Sequence, residues 1–374
     1  MRFQMNRIKS LDGLRGVFIL IVILAHALET IPAFTETYQG STFYILSIGS
    51  LGVRMFFVMS GYLITRLLIV ENEKTGSVNL KEFYLRRMFR IFPTFFLYIF
   101  TIMVLKWTVV PDIFKNYYLV LFATFYFWNY KHFLISHTEN DKGNWFMGHF
   151  WSLSMEEQFY LLWPFTFVKF SRTTLIRAIV ILLFAMPLFR VATFILQPGS
   201  RLYISAMLHT GGDAILVGCL AALAEQVKTL REKYLVRFQN RIGVACVLFF
   251  LFVLSPVLTW HFKAAYNMTA GMTLNNLGIM YLLYYTMYYP SKAADFLNTR
   301  LISRLGVASY SLYVWQQLFL TTKNDFWINK FPQNIIVALT VGLTSHYFVE
   351  KPILKLKNRF KRVSLPPKSP AAGV

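Results

Sequence analysis

Long apolar runs constrain the fold of this chain more than any other feature of its sequence. A helix needs about 20 apolar residues to cross a bilayer, and such runs recur along all 374 residues. We predict an all-α polytopic membrane protein with about ten transmembrane helices. A composition that is 56% hydrophobic and only 15% charged excludes an ordinary soluble domain. The ten candidate spans are residues 11–29, 48–69, 91–109, 149–168, 177–196, 205–224, 243–261, 270–289, 305–322 and 333–349.

The basic residues predict the orientation of these helices. The net charge is +21, and the N-terminal segment with every second loop holds more than three times as many Lys and Arg as the opposite loops. The positive-inside rule then places both termini in the cytoplasm. A nucleic-acid partner would favour one concentrated basic patch, so we expect no nucleic acid. We divide the chain into a membrane domain at 1–352 and a basic cytoplasmic tail at 353–374, whose composition indicates disorder.

Residues 113–130 form an aromatic segment whose path the apolar pattern leaves open. The segment is only marginally long enough to cross, and a crossing would invert the charge alternation of every later loop. We therefore expect an interfacial or re-entrant helix on the outer side of the membrane.

The first span carries the ionisable residues from which the functional argument starts. Asp12 and Arg15 lie three residues apart, so they can pair on one helical face. Arg15 and His26 are about three turns apart, which is roughly 16 Å along the same face. The predicted orientation puts Arg15 near the inner surface and His26 towards the outer one. Ionisable groups inside such an apolar helix suggest a functional site.

Arg86, Arg87 and Arg90 cluster at the predicted inner boundary of the third span. Guanidinium groups bind phosphates bidentately, so this cluster could hold a polyphosphate. The alternative is that ordinary juxtamembrane arginines contact lipid headgroups.

The fourth span begins GHFWSLSMEEQFYLLWP, which puts Glu156 and Glu157 near its start. Ser154 and Glu157 fit the spacing of a capping box, which is a structural role. The other carboxylate can face the bundle at the predicted level of His26, and a carboxylate opposite a histidine is typical of general-base catalysis. His149, one turn earlier, is a second candidate, although a histidine at the headgroup level is more often incidental.

Four further polar residues lie within spans. Ser60 precedes a glycine and is typical of close helix contact. Asp213 can form an ion pair with an arginine or take part in catalysis, and both readings stay open. Tyr313 and Gln316 belong to a polar stripe at helical spacing.

The ordered motifs of the chain resemble the acyltransferase-3 family of integral-membrane acyltransferases. The family implies about ten membrane helices and acyl transfer from a coenzyme A thioester on the cytoplasmic side to a hydroxyl, often on the outer side. Its first-span arginine and histidine match Arg15 and His26, and its boundary motif matches Arg87 and Arg90, with Arg86 adjacent. The motifs that carry the resemblance are LDGLRGVFILIVILAH, GVRMFFVMSGYLIT, RRMFRIFP, WSLSMEEQFYLLWP, SYSLYVW and VEKP.

Two further positions matter in this comparison. The family's fourth-span glutamate matches Glu156 better than Glu157. The family often has a histidine where this chain has Gln316. Glutamine can form hydrogen bonds but does not titrate, so proton transfer at this position is not expected here.

Together these features predict a bacterial cytoplasmic (inner) membrane enzyme that moves an acyl group, by expectation acetyl from acetyl-CoA, to a hydroxyl of an extracytoplasmic glycan or glycoconjugate. His26 would be the general base, with Glu156 or Glu157 orienting it, and transfer could be direct or ping-pong. We expect the membrane domain and its outer loops to recognise the acceptor. No metal is expected. A glycan-lipid transporter or flippase and a catalytically silent membrane partner remain alternatives.

Overall fold

The computed structural model describes residues 9–31, 39–135, 141–227 and 240–356, and helices dominate these ranges. We number the ten main helices of these ranges in chain order. They are α1 Lys9–Leu28, α2 Gln39–Thr75, α3 Leu80–Thr108, α4 Phe150–Lys169, α5 Arg172–Leu196, α6 Asp213–Ala224, α7 Arg241–Phe262, α8 Met272–Tyr288, α9 Arg300–Phe319 and α10 Gln333–Ser345.

Each predicted span overlaps one of these helices, although α6 covers only the second part of the sixth span, and the helical content confirms the all-helical class. Five of them, α1, α2, α3, α5 and α7, are long and apolar enough to cross a membrane. The number of spans and the side on which each terminus lies stay predictions. Of the predicted tail at 353–374, residues 357–374 lie outside the described residues.

The exposed surface of α5 and α7 is apolar, as expected for helices that face lipid. Phe184 and Leu188 on α5 are 79% and 71% exposed, and Ile242 on α7 is 77% exposed. In water such side chains would be buried, whereas lipid tails accept them without cost. Local signals set the helix ends, since Asn79 and Ser171 accept hydrogen bonds from the first turns of α3 and α5.

Glycine residues let α1 pack closely between α2 and α9. A Cβ atom on Gly306 of α9 would lie 1.6 Å from the carbonyl oxygen of Asp12, so the two backbones are almost in contact. A Cβ atom on Gly61 of α2 would likewise lie 2.0 Å from the carbonyl oxygen of Ile215 on α6. Small residues at membrane helix interfaces permit such approaches, and here they bring α9 against α1 and α2 against α6.

The aromatic segment 113–130 contains only one α-helix, Tyr118–Thr124. Seven residues extend about 10 Å, roughly a third of the hydrocarbon core. This helix is too short to cross, which agrees with the predicted interfacial path. The segment is tied down by Asp141, whose carboxylate accepts hydrogen bonds from the backbone N–H groups of Lys115 and Asn116. The side of the membrane on which it lies stays a prediction.

Candidate active site

A cavity of about 300 Å³ opens between α1, α2, α3, α4 and α9. One part of its wall is apolar, built from side chains such as Val53, Phe56 and Leu153. The other part is charged and carries three guanidinium groups and two carboxylates. These five charged residues are Asp12, Arg15, Arg87, Arg90 and Glu156. The cavity therefore combines a net positive end with an apolar length.

The arginines at the charged end are held by neighbours that leave them facing the cavity. The guanidinium of Arg87 lies 4.7 Å from the centre of the Tyr160 ring, a cation–π contact. Arg15 and Arg90 lie close enough to repel each other electrostatically. Like charges gathered at one site indicate a bound anion, because its negative charge would offset their mutual repulsion.

Arg86 differs from its neighbours in the sequence motif. It forms ion pairs with Glu71 at 2.9 Å and with Glu82 at 3.3 Å, and it does not line the cavity. Successive residues of a helix point about 100° apart, so Arg86 leaves the face that Arg87 and Arg90 share with the cavity. The structure therefore brings Arg87 and Arg90 together at the cavity and separates Arg86 from them.

Glu156 lies with the arginines and not with His26, which corrects the predicted pairing. Its Oε1 accepts a hydrogen bond from Ser60 Oγ at 2.8 Å, and it interacts electrostatically with Arg87 and Arg15. The reason is that α4 begins at Phe150, so Glu156 is almost two turns, about 9 Å, inside the helix. It reaches the level of Ser60 and Arg15.

The predicted capping box is also wrong, for the same reason. Ser154 lies inside α4 and is buried, and the cap position is occupied by His149, whose side chain makes no capping hydrogen bond. Glu157 interacts electrostatically with Arg87 but does not line the cavity. The two adjacent carboxylates therefore point in different directions, as expected.

His26 lies beyond the apolar end of the cavity. Its Nδ1 is 3.5 Å from Oε1 of Gln316, and its ring stands edge-on to Trp145 at 6.0 Å between ring centres. Tyr313, one turn before Gln316 on α9, does line the cavity and is hydrogen-bonded to Ser152 at 2.7 Å. Tyr313 and Ser152 form the part of the cavity wall that lies about one helical turn along α9 from Gln316.

The surroundings of His26 retain buried polar atoms that have no protein partner. They include Nε2 of Gln316, whose side chain is fully buried. Most buried donors in folded proteins are hydrogen-bonded, so an unsatisfied N–H beside a histidine indicates a place for a ligand or water.

The sequence left two readings of Asp213 open, an ion pair and a catalytic role, and in the structure Asp213 forms the ion pair. Its carboxylate pairs with Arg190, and both side chains are fully buried. Thr273 Oγ1 donates a second hydrogen bond to Asp213 at 2.8 Å, and Arg190 Nε donates to the carbonyl of Thr210 at 2.7 Å. This network joins α5, α6 and α8 and does not line the cavity.

Two polar cavity residues escaped the sequence argument: Ser152 and Tyr160. Tyr160 follows Glu156 by four residues and so shares its face of α4. That spacing was the one available signal. Ser152 precedes the carboxylates and carries no charge, so nothing in its pattern distinguished it.

A family model described as an acyltransferase domain matches residues 8–348. The O-acetyltransferase OatA of Staphylococcus aureus is 28% identical over 96% of this chain and 59% of its own length. The peptidoglycan O-acetyltransferase OatA of Listeria monocytogenes is 25% identical over 95% of this chain and 57% of its own length. The chain thus spans less than two thirds of either relative. No solved structure gives a significant match.

Proposed function

The chain belongs to the acyltransferase-3 family, and we propose that it transfers an acyl group, with acetyl expected, from cytoplasmic acyl-CoA to a hydroxyl of a cell-envelope glycan. The family match covers residues 8–348. Both relatives are named as O-acetyltransferases, and one of them as acting on peptidoglycan. These names support a glycan of the bacterial envelope as acceptor. The five helices that are long and apolar enough to cross a membrane support a membrane location, which in this proposal is the cytoplasmic membrane.

The observation that carries the proposal is the polarity of the cavity. Coenzyme A combines a polyphosphate with a long, largely apolar pantetheine arm. Arg15, Arg87 and Arg90 at one end offer guanidinium groups that bind phosphates bidentately. The apolar wall beyond them suits the arm, and the roughly 16 Å between Arg15 and His26 is comparable to its extended length.

Glu156 has a different role in this proposal from the one that the sequence suggested. Hydrogen-bonded to Ser60 and close to Arg15 and Arg87, it reduces the repulsion among the arginines before the donor binds. It acts as a positioning residue for the donor site, since the group beside His26 is Gln316.

The arrangement around His26 supports direct transfer. If Nδ1–H donates to Gln316 Oε1, the lone pair of Nε2 is free to act as the base. Nε2 removes the proton from the acceptor hydroxyl while that oxygen forms a bond to the thioester carbonyl carbon. The C–S bond then breaks, and the coenzyme A thiolate takes the proton from the imidazolium. General-base catalysis of this kind contributes about 10²–10⁴-fold.

Gln316 also offers the group that this reaction needs beside the base. Its Nε2 is a buried donor without a protein partner. A donor fixed in a low-dielectric site stabilises the oxyanion that develops on the thioester carbonyl. Glutamine at this position therefore offers a hydrogen-bond donor through Nε2 while its Oε1 accepts from His26.

The test is coenzyme A release from acetyl-CoA by purified protein, with and without an envelope glycan extract. We expect release that depends on the extract and is lost in the variant His26→Ala. The folded state of the variant is checked by its thermal unfolding and by binding of coenzyme A. Undiminished release by a folded His26→Ala protein contradicts the assignment of the base. Absence of both release and donor binding in the wild type contradicts the enzyme and favours a transporter or silent partner.

A further inference from the structure

A second cavity of about 470 Å³ lies against a different side of α2 from the first. Val53 and Phe57 line the first cavity, whereas Leu51 and Arg54 line the second. Its remaining walls come from α5, α7, α8 and the segments that connect them. Several lining residues fall in or next to loops predicted to be on the outer side: Arg201, Leu202, Ile204, Ser205, Ala264, Asn267 and Met268.

The polar groups of this cavity include a guanidinium and an unsatisfied acceptor. Nη1 of Arg54 donates to Asn276 Oδ1 over a long 3.4 Å, the one hydrogen bond that Arg54 makes within the described residues. Asn275, next along α8, lines the cavity, and its Oδ1 is buried without a partner. Arg201 adds a second positive charge at the exposed rim, and neither Asp nor Glu is among the described lining residues.

The rest of the lining is neutral and rich in hydrogen-bonding groups. Ser255 and Thr259 contribute hydroxyls, and Asn267 contributes an amide. Two π-helical segments, Phe250–Leu254 and Asn267–Gly271, flank these residues. Single π-helical turns inside α-helices are frequent at functional sites, and here they adjoin the hydroxyl and amide groups of the cavity wall.

These groups define the chemistry of the occupant. Arg54 interacts electrostatically with both Asp213 and Arg190, whose opposite charges offset each other, so Arg54 favours a negatively charged acceptor, and Asn275 Oδ1 requires a donor. A fully ionised phosphate or carboxylate supplies the negative charge but no hydrogen-bond donor, whereas a sugar that carries an acidic group supplies both. We infer that this cavity binds an anionic sugar residue. The volume lies within the usual range for small-molecule sites.

An anionic sugar held here would belong to a part of the acceptor glycan remote from the reacting hydroxyl. That assignment to the acceptor rests on the proposed function, but the binding itself does not. Binding energy from remote parts of a substrate can position the reacting group, so the second cavity would select the glycan without touching the acyl group.

The experiment measures binding of glucuronate and glucose to the full chain in lipid nanodiscs, with no acyl donor present. The two sugars share a ring and differ in a carboxylate, so their difference reports the anionic contact. We expect glucuronate to bind about tenfold or more tightly than glucose. Arg54→Gln should abolish this preference, and Asn275→Leu should weaken both sugars. Arg172→Gln, at a surface arginine paired with Glu73, is the matched control and should change neither.

Two outcomes overturn the inference. If the wild type and a folded Arg54→Gln protein bind glucuronate equally, Arg54 does not contact the carboxylate. Inorganic phosphate that competes as well as glucuronate indicates a phosphate or lipid-headgroup site, and the sugar is then wrong. Neither outcome affects the coenzyme A release assay, so failure here is distinguishable from failure of the proposed function.

Discussion

Two adjacent arginines give the sharpest test of the donor site. Arg87 lines the cavity and Arg86 does not, although both lie in one sequence motif at one helix end. Arg87→Gln removes a guanidinium from the phosphates of coenzyme A, and hydrogen bonds to charged groups contribute about 1.5–3 kcal/mol. We therefore expect the KM for acetyl-CoA to rise roughly 10- to 150-fold.

Arg86→Gln is the matched control for this change. It breaks ion pairs with Glu71 and Glu82 at the surface of the bundle, and such pairs contribute about 0–1 kcal/mol. The KM should change less than about fivefold. Calorimetric titration with coenzyme A checks both variants without turnover. Equal losses of affinity in the two variants refute the reasoning, since both arginines would then act through the membrane surface.

Four further changes test the interior of the protein. His26→Gln should lower kcat about 10²–10⁴-fold with donor affinity unchanged, and a parallel loss of affinity contradicts the base. Gln316→Leu should lower kcat about 10²–10³-fold, and full activity would remove the oxyanion role. Arg190→Leu should lower the free energy of unfolding by about 3–5 kcal/mol, measured by thermal unfolding. Adding Asp213→Leu should restore most of this loss, and no recovery would mean that the Asp213 carboxylate has another role. Gly306→Ala should cost at least about 1–3 kcal/mol, and an unchanged Tm contradicts the close backbone contact.

Helix positions were predictable because apolar length is a local property of the sequence. The spacing of Arg15 and His26 on α1 was readable for the same reason. The depth of Glu156 in α4 was not readable, because the adjacent Glu156 and Glu157 suggested that a helix begins there. In the structure, packing extends α4 back to Phe150. His149, buried against Tyr98 and Tyr313, already belongs to the folded bundle at the point where the sequence suggested a boundary.

Partners distant in sequence could not be inferred from spacing. Gln316 lies beside His26 across 290 positions, and only the close packing of α1 and α9 brings them together. Arg54 lies among apolar residues of the second span, and the asparagines of α8 carried no periodic signal. The fold of each helix is thus local information, whereas the second cavity exists only after α2, α7 and α8 have packed.

The contact between Tyr313 and Ser152 has a consequence for the cell's energy supply. A reaction fed from both faces of a membrane requires a path between the two aqueous compartments, and an open path would discharge the proton gradient. With the tyrosine hydroxyl bonded to the serine at 2.7 Å, α4 and α9 meet across such a path. In the proposed reaction the pantetheine arm passes this contact to reach His26. The substrate itself then fills the path and insulates the membrane for as long as the acyl group is being moved.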